Sequence, residues 1–221
     1  MINTPEGTVR FYLIRHGQTA DNLQMRYLGK RDEPLTEKGR YQARKAAEAL
    51  AQLPIRIVVS SPLRRAADTA VMIQKACGVD LRLDPRLAEG SFGSWEGMTR
   101  EEVVGRGGKD AERLARWESD SSAAPPGGES LESVQNRVVK AAEELRSEFA
   151  GSSLVLVSHV GPIKALLAGT LDLPLQDCRR LFLDPGTISV VDWGKQTLLR
   201  LFNSHAHLGW PSARWMTHSS Q

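Results

Sequence analysis

The sequence predicts an α/β fold: a three-layer sandwich with a mostly parallel central sheet flanked by helices, an antiparallel edge hairpin and an inserted lid. Three observations lead there. Short apolar runs at residues 9–14, 55–60 and 154–157 read as buried strands, and strand and helix signals alternate between them. Alternation implies crossover connections, which make neighbouring strands parallel. Two of the runs end in polar residues, Arg15-His16-Gly17 and Ser158-His159-Val160-Gly161, as befits the carboxyl edge of such a sheet, where ligands bind.

In order along the chain, the run at 9–14 delivers its polar end, and Thr36 then caps a helix from Glu37 to about residue 51. Ala43, Ala46, Ala47 and Leu50 share one face of that helix, and Gly39 weakens it only locally. The strand at 55–60 continues through Ser61-Pro62-Leu63 into a helix at about 64–76, and a short strand lies near 81–83. A loop at 89–97 is rich in glycine and aromatic residues. The polar stretch 99–129 ends in Ser121-Ser122-Ala123-Ala124-Pro125-Pro126-Gly127-Gly128. It predicts a partly helical insertion followed by a mobile connection, hence a lid at about 98–130 inside one domain spanning 1–221.

Ser130 or Ser133 begins the next helix, on which Leu131, Val134, Val138, Ala141, Ala142 and Leu145 recur at helical spacing. The strand at 154–157 leads to a helix at about 162–169, with Pro162 in its first turn. Residues 188–192 and 198–202, joined across Gly194-Lys195, form the closing hairpin, and no internal repeat is present.

With 41% hydrophobic and 25% charged residues and no low-complexity tract, the chain reads as globular. A net charge of +3, from 29 basic and 26 acidic residues, permits anionic substrates. The densest basic cluster, 38–45, falls on a solvated helix face, so nucleic acid is not an expected partner. Cys77 and Cys178 match no metal or redox spacing and read as two buried free thiols in a reducing, cytoplasmic setting. Residues 1–10 lack the apolar run of a signal peptide, and no stretch of about 18 apolar residues exists, so no membrane partner is expected. A homodimer is left open.

Two histidines in the same strand-end context are harder to assign to structure than one. Around them stand four groups of residues in order. The first is Arg15-His16-Gly17-Gln18-Thr19, with Asn22, Gly29, Asp32, Pro34-Leu35-Thr36 and Gly39 downstream. The second is Ser60-Ser61-Pro62-Leu63-Arg64-Arg65-Ala66 with Thr69-Ala70, the third Glu89 ahead of Phe92-Gly93 and Trp95-Glu96-Gly97, and the last Ser158-His159. From about residue 9 to 208 the chain resembles the histidine phosphatase superfamily, the phosphoglycerate-mutase-like enzymes.

The resemblance implies a histidine acid-type phosphatase, a phosphoric monoester hydrolase that works without metal or other cofactor. His16 is its expected nucleophile, giving a phosphohistidine that water later cleaves and so dividing one difficult step into two. Arg15, Arg65 and His159 are expected to neutralise the phosphoryl oxygens. Arg65 is preferred to Arg64 because the family pattern sets its functional arginine directly before the alanine. Glu89 is the expected general acid, with Glu96 as the alternative, and Glu129 is expected to border the pocket. Asn22, Thr19, Gly29 and Gln18 are the expected substrate-binding residues.

His205 and His207 read as surface or tail residues, and Trp193, Trp210 and Trp215 as packing for the C-terminal segment. Leu28, directly before Gly29, offers no hydrogen bond where mutases of the family carry a polar residue, which favours a phosphatase of small phosphorylated metabolites over a phosphoglycerate mutase. Because no position essential to the chemistry is replaced, a phosphate-binding protein without catalysis is the less favoured reading. Arg26, Lys30, Arg31 and Arg113 are available to a second acidic group of the substrate.

Overall fold

The computed structural model describes residues 7–209. Its sheet runs β3-β2-β4-β1-β5-β6, where β1 is Val9–Arg15, β2 Ile55–Ser60, β3 Asp80–Leu83, β4 Ser153–Ser158, β5 Ile188–Trp193 and β6 Leu198–Ser204. The first four in that order are mutually parallel, and β5 and β6 close the far side in antiparallel pairing.

The strands are apolar on both faces because both are covered. In β1, Val9, Phe11 and Leu13 enter one core while Tyr12 and Ile14 enter the other. The first core packs against α6 (Leu131–Glu148) and α7 (Val160–Thr170) through Val134, Val138, Leu145, Ile163 and Leu166. The second packs against α2 (Glu37–Leu50) and α3 (Arg64–Cys77) through Ala46, Leu50, Ala66, Ala70 and Ile73. Three layers result, as expected. A further short helix, α1 (Ala20–Leu23), sits in the loop after β1.

The insertion contributes α4 (Arg100–Gly105) and α5 (Gly108–Ser119). Trp95, Val103 and Leu114 form a small core of their own, joined by Tyr27, Phe92, Met98 and Trp117. The connection expected to be mobile is tied down at both ends: Ser94 N–H donates to Pro126 O (3.0 Å) and Glu129 N–H to Ser91 O (2.8 Å).

Several local expectations are corrected. Ser130, not Ser133, caps α6, its hydroxyl accepting from Ser133 N–H. The helix expected from Pro162 begins at Val160, since proline is tolerated within a first turn. Cys178 is buried, but Cys77, in the last turn of α3, is only half-buried. His205 is not a surface residue: it is buried, with Nε2 3.0 Å from Asp184 Oδ2, because β6 carries it back against the start of β5. Trp193 does pack, 6.1 Å from Phe11 between ring centres. Trp210 and Trp215 lie outside the described residues. Among the described residues no helix is long and apolar enough to cross a membrane.

Thr36 does two jobs. Its hydroxyl accepts from Gly39 N–H (3.0 Å), capping α2, and lies 3.1 Å from Gln18 Oε1, which fixes the loop after β1. Thr36→Ala should therefore lower stability by about 1–2 kcal/mol, read as a lower urea midpoint at unchanged m-value; an unchanged midpoint would show that the cap contributes nothing.

Candidate active site

Strand register assembles the site. β1 and β2 both flank β4, with Arg15 opposite Ser158 and Ser60 opposite Val157, so the residues after all three strands emerge side by side. His16 N–H donates to Ser158 O and Ser61 N–H to Val157 O, which extends the ladder one residue beyond the sheet. The His16 and His159 rings come to 5.0 Å between centres.

Both imidazoles are buried, and both are held well below the ordinary histidine pKa. For His16 the causes are burial, then the Arg65 and Arg15 charges; for His159, burial, then Arg65, His16 and Arg15. Both are neutral in the free protein. His16 Nδ1 lies 2.7 Å from Gly17 O, and a carbonyl only accepts, so the proton sits on Nδ1 and the lone pair on Nε2. For His159 the tautomer is set through Ser61. Ser61 Oγ accepts from Leu63 N–H and lies 2.8 Å from His159 Nε2; with the hydroxyl giving its proton to Nε2, the ring proton sits on Nδ1. That Nδ1 is buried without a partner among the described residues.

The arginines are held by carbonyl oxygens. Arg15 Nη1 donates to Leu183 O (2.6 Å). Arg65, in the first turn of α3 and 0% exposed, donates from Nη1 to Arg31 O (2.7 Å) and from Nη2 to Gly29 O (2.8 Å). Arg64 points outward, with its side chain 57% exposed beside Asp68.

The loop after β1 makes a backbone-on-backbone contact with α2. A Cβ on Gly17 would strike the Gly39 carbonyl, and one on Gly39 the Gln18 carbonyl, so only glycine fits at either place. Thr69, from α3, accepts from Gly17 N–H and donates to Arg65 O, coupling the loop of His16 to the helix of Arg65. Gln18 and Thr19 are both buried. Gln18 is engaged with Thr36, and Thr19 caps α1 in a box with Asn22. Because Asn22 Oδ1 accepts from Thr19 N–H, the Asn22 amide NH₂ is the end left to donate.

A cleft of about 140 Å³ opens over these groups, lined by Arg15, His16, Asn22, Arg65 and Glu89 at its base and by Arg26, Tyr27, Leu28, Gly29, Phe92 and Val160 on its walls. Glu89 reaches it by accepting from Gly90 N–H (2.9 Å) and, more loosely, Gly161 N–H (3.4 Å). A Cβ on Gly161 would come 2.5 Å from Glu89 Oε1, so that glycine makes room for the carboxylate. Glu96 is occupied elsewhere: its Oε1 accepts from Lys30 N–H, Ser91 Oγ–H and Phe92 N–H. Glu129 forms a two-pronged ion pair with Arg137. Arg26 is bound to Gly97 O and Glu102, Arg31 faces Asp21 and Glu33, and Arg113 and Lys30 are exposed. Sequence reasoning left Ser61, Thr69 and Gly161 without roles. Each lies in or beside a quoted motif, but its contact joins separate elements.

Two neutral buried histidines leave a signature in stability. Their folded pKa values lie below the unfolded value of about 6.5, so below that pH the unfolded chain binds protons that the folded one refuses. Stability should fall as pH drops beneath 6.5, by about 1 kcal/mol per pH unit for each histidine. Urea unfolding of His16→Ala beside the parent, between pH 6 and 4.5, should show a slope shallower by one proton; parallel slopes would mean that His16 is not held neutral.

The sequence model of the histidine phosphatase superfamily (branch 1) matches residues 11–204. Glucosyl-3-phosphoglycerate phosphatase of Mycolicibacterium vanbaalenii is 42% identical over 175 residues, covering 76% of this chain and 76% of that protein. Phosphoserine phosphatase 1 of Hydrogenobacter thermophilus is 34% identical over 204 residues, covering 91% and 95%. The solved structure of a mycobacterial glucosyl-3-phosphoglycerate phosphatase with VO3 superposes at a TM-score of 0.81 and 35% identity, over 88% of this chain and 99% of that one. The chain spans 55% of the length of mycobacterial relatives to which it is 40% identical, among them a bifunctional protein of Mycobacterium tuberculosis. Because the match runs from within β1 to the last residue of β6 and takes in all four motif groups that meet at the cleft, the chain belongs to the histidine phosphatase superfamily.

Proposed function

We propose that this chain is a phosphomonoesterase for small phosphorylated metabolites, working through a phosphohistidine on His16. The observation that carries the reading is the state of His16: neutral, lining the cleft, with Nδ1–H pinned to Gly17 O and the lone pair left on Nε2. Nε2 attacks phosphorus and the P–O ester bond breaks. Glu89 gives its proton to the departing alkoxide, then takes one from the water that attacks the phosphohistidine, and His16 is regenerated neutral.

Arg15 and Arg65 bind the equatorial oxygens through their guanidinium groups, joined by the Asn22 amide and His159 Nδ1–H. A phosphate bound there brings negative charge to two histidines that burial and the neighbouring arginines hold neutral. Gln18, Thr19 and Gly29 act through the loop, Gly29 by its carbonyl on Arg65. Relatives named as glucosyl-3-phosphoglycerate and phosphoserine phosphatases support a small phosphomonoester as substrate. Leu28 is buried in the cleft wall without a polar atom on its side chain, which favours hydrolysis over return of the phosphoryl group to a bound intermediate.

Rapid acid quench with a phosphodonor should trap an acid-labile, base-stable phosphate on the parent chain and none on His16→Ala, which should also lose turnover while keeping its fold. Label retained by His16→Ala would overturn the assignment. Glu89→Gln should slow alkyl phosphates at least about tenfold more than aryl phosphates, whose leaving groups need little protonation; equal losses would remove Glu89 as the acid.

A further inference from the structure

Lys164 has no part in the chemistry described so far, yet it lies on α7 one helical turn from Val160, which lines the cleft. It follows Val160 by four residues and Gly161 by three on α7, so it shares their face of the helix. Val160 lines the cleft and Gly161 touches Glu89. Lys164 is therefore one helical turn from the proposed acid, along the same surface. Its side chain is half-buried, and none of the described residues meets its ammonium in a hydrogen bond or ion pair.

Arg15 and Arg179 face it as like charges, with Glu89 and the Cys178 thiol as the opposing groups. Burial, only partly offset by Cys178, pulls the ammonium below its ordinary pKa, and Arg15 adds to the effect. A half-buried cation among other cations is a site in want of an anion.

Arg179 is built into the same rim. It belongs to the 3-10 segment Leu175–Arg180 that packs on α7, and its Nη2 donates to Trp117 O (2.6 Å). The guanidinium lies 4.4 Å from the Trp117 ring centre, and its Nε is buried without a partner among the described residues. Trp117 meets Tyr27 and Phe92 edge-on, and both of those rings line the cleft. Arg26 and Arg31, by contrast, already face Glu102, Asp21 and Glu33.

We infer that Lys164, backed by Arg179, forms a second anion subsite on the rim of the cleft, which takes a carboxylate of the substrate whose phosphate lies at His16. The inference rests on the phosphatase reading for the position of the phosphate. It defines the substrate class as phosphomonoesters that carry a carboxylate a few bonds from the phosphorus. Sequence spacing gives no reason to single out this lysine. Its place one turn from the cleft depends on where α7 begins, and its lack of a counterion among the described residues depends on what packs beside it.

The test compares 3-phosphoglycerate with glycerol 3-phosphate, which differ by the carboxylate alone at the far end. The parent should favour 3-phosphoglycerate in kcat/KM by about tenfold or more at low ionic strength, the scale of one hydrogen bond to a charged group. Lys164→Gln should collapse that ratio, chiefly through KM, and Lys164→Arg should keep it within about threefold. A parent ratio near one, or an unchanged ratio in Lys164→Gln, would overturn the subsite. So would a stronger, Lys164-dependent preference for fructose 1,6-bisphosphate, which would make the second group a phosphate.

Calorimetric binding of both esters to His16→Ala, with and without Lys164→Gln, separates the two readings. Carboxylate-selective binding that depends on Lys164 upholds the subsite even if the parent releases no phosphate, a result that would defeat the phosphatase reading alone. Equal hydrolysis of both esters would defeat the subsite alone.

Discussion

Burying positive charge at the carboxyl edge of the sheet is the constraint on which the rest of this molecule depends. Arg65 is wholly inaccessible, and its fork is held by the carbonyls of Gly29 and Arg31, while Arg15 reaches Leu183 O. Carbonyl dipoles stabilise a buried guanidinium without cancelling its charge, so the field in the cleft stays positive. That field, added to burial, keeps His16 and His159 neutral. One arrangement thus accounts both for the positive cleft and for the neutral histidines, the two features on which the proposed chemistry rests.

The loops follow from that requirement. Residues 29–31 supply carbonyls to Arg65, and the turn after β1 must lie close enough to α2 for Gln18 and Thr36 to meet. Gly17 and Gly39 permit this because neither backbone carries a Cβ into the other. Thr69 then locks the turn to α3. The rigid base of the cleft belongs to the sheet and its first two crossovers, whereas the walls come from Tyr27, Phe92 and the insertion that packs on them through Trp95 and Trp117. Changing the insertion would reshape the walls and leave the base intact, a separation that lets one chemistry serve different esters.

By itself the sequence determined what short-range patterning encodes. Apolar runs fixed the five principal strands, helical spacing fixed the faces of α2 and α6, and the two histidines were legible because each ends an apolar run. The motif order around them carried the family. The tertiary structure alone decided which charged and polar groups were already spoken for. Glu96 is bound by three donors and Arg26 by Glu102, His205 is buried against Asp184, and Lys164 has no counterion among the described residues. Each fact depends on contacts between elements distant in sequence. Local periodicity holds no record of those contacts, because it reports which face of an element is apolar and not what stands opposite its polar residues.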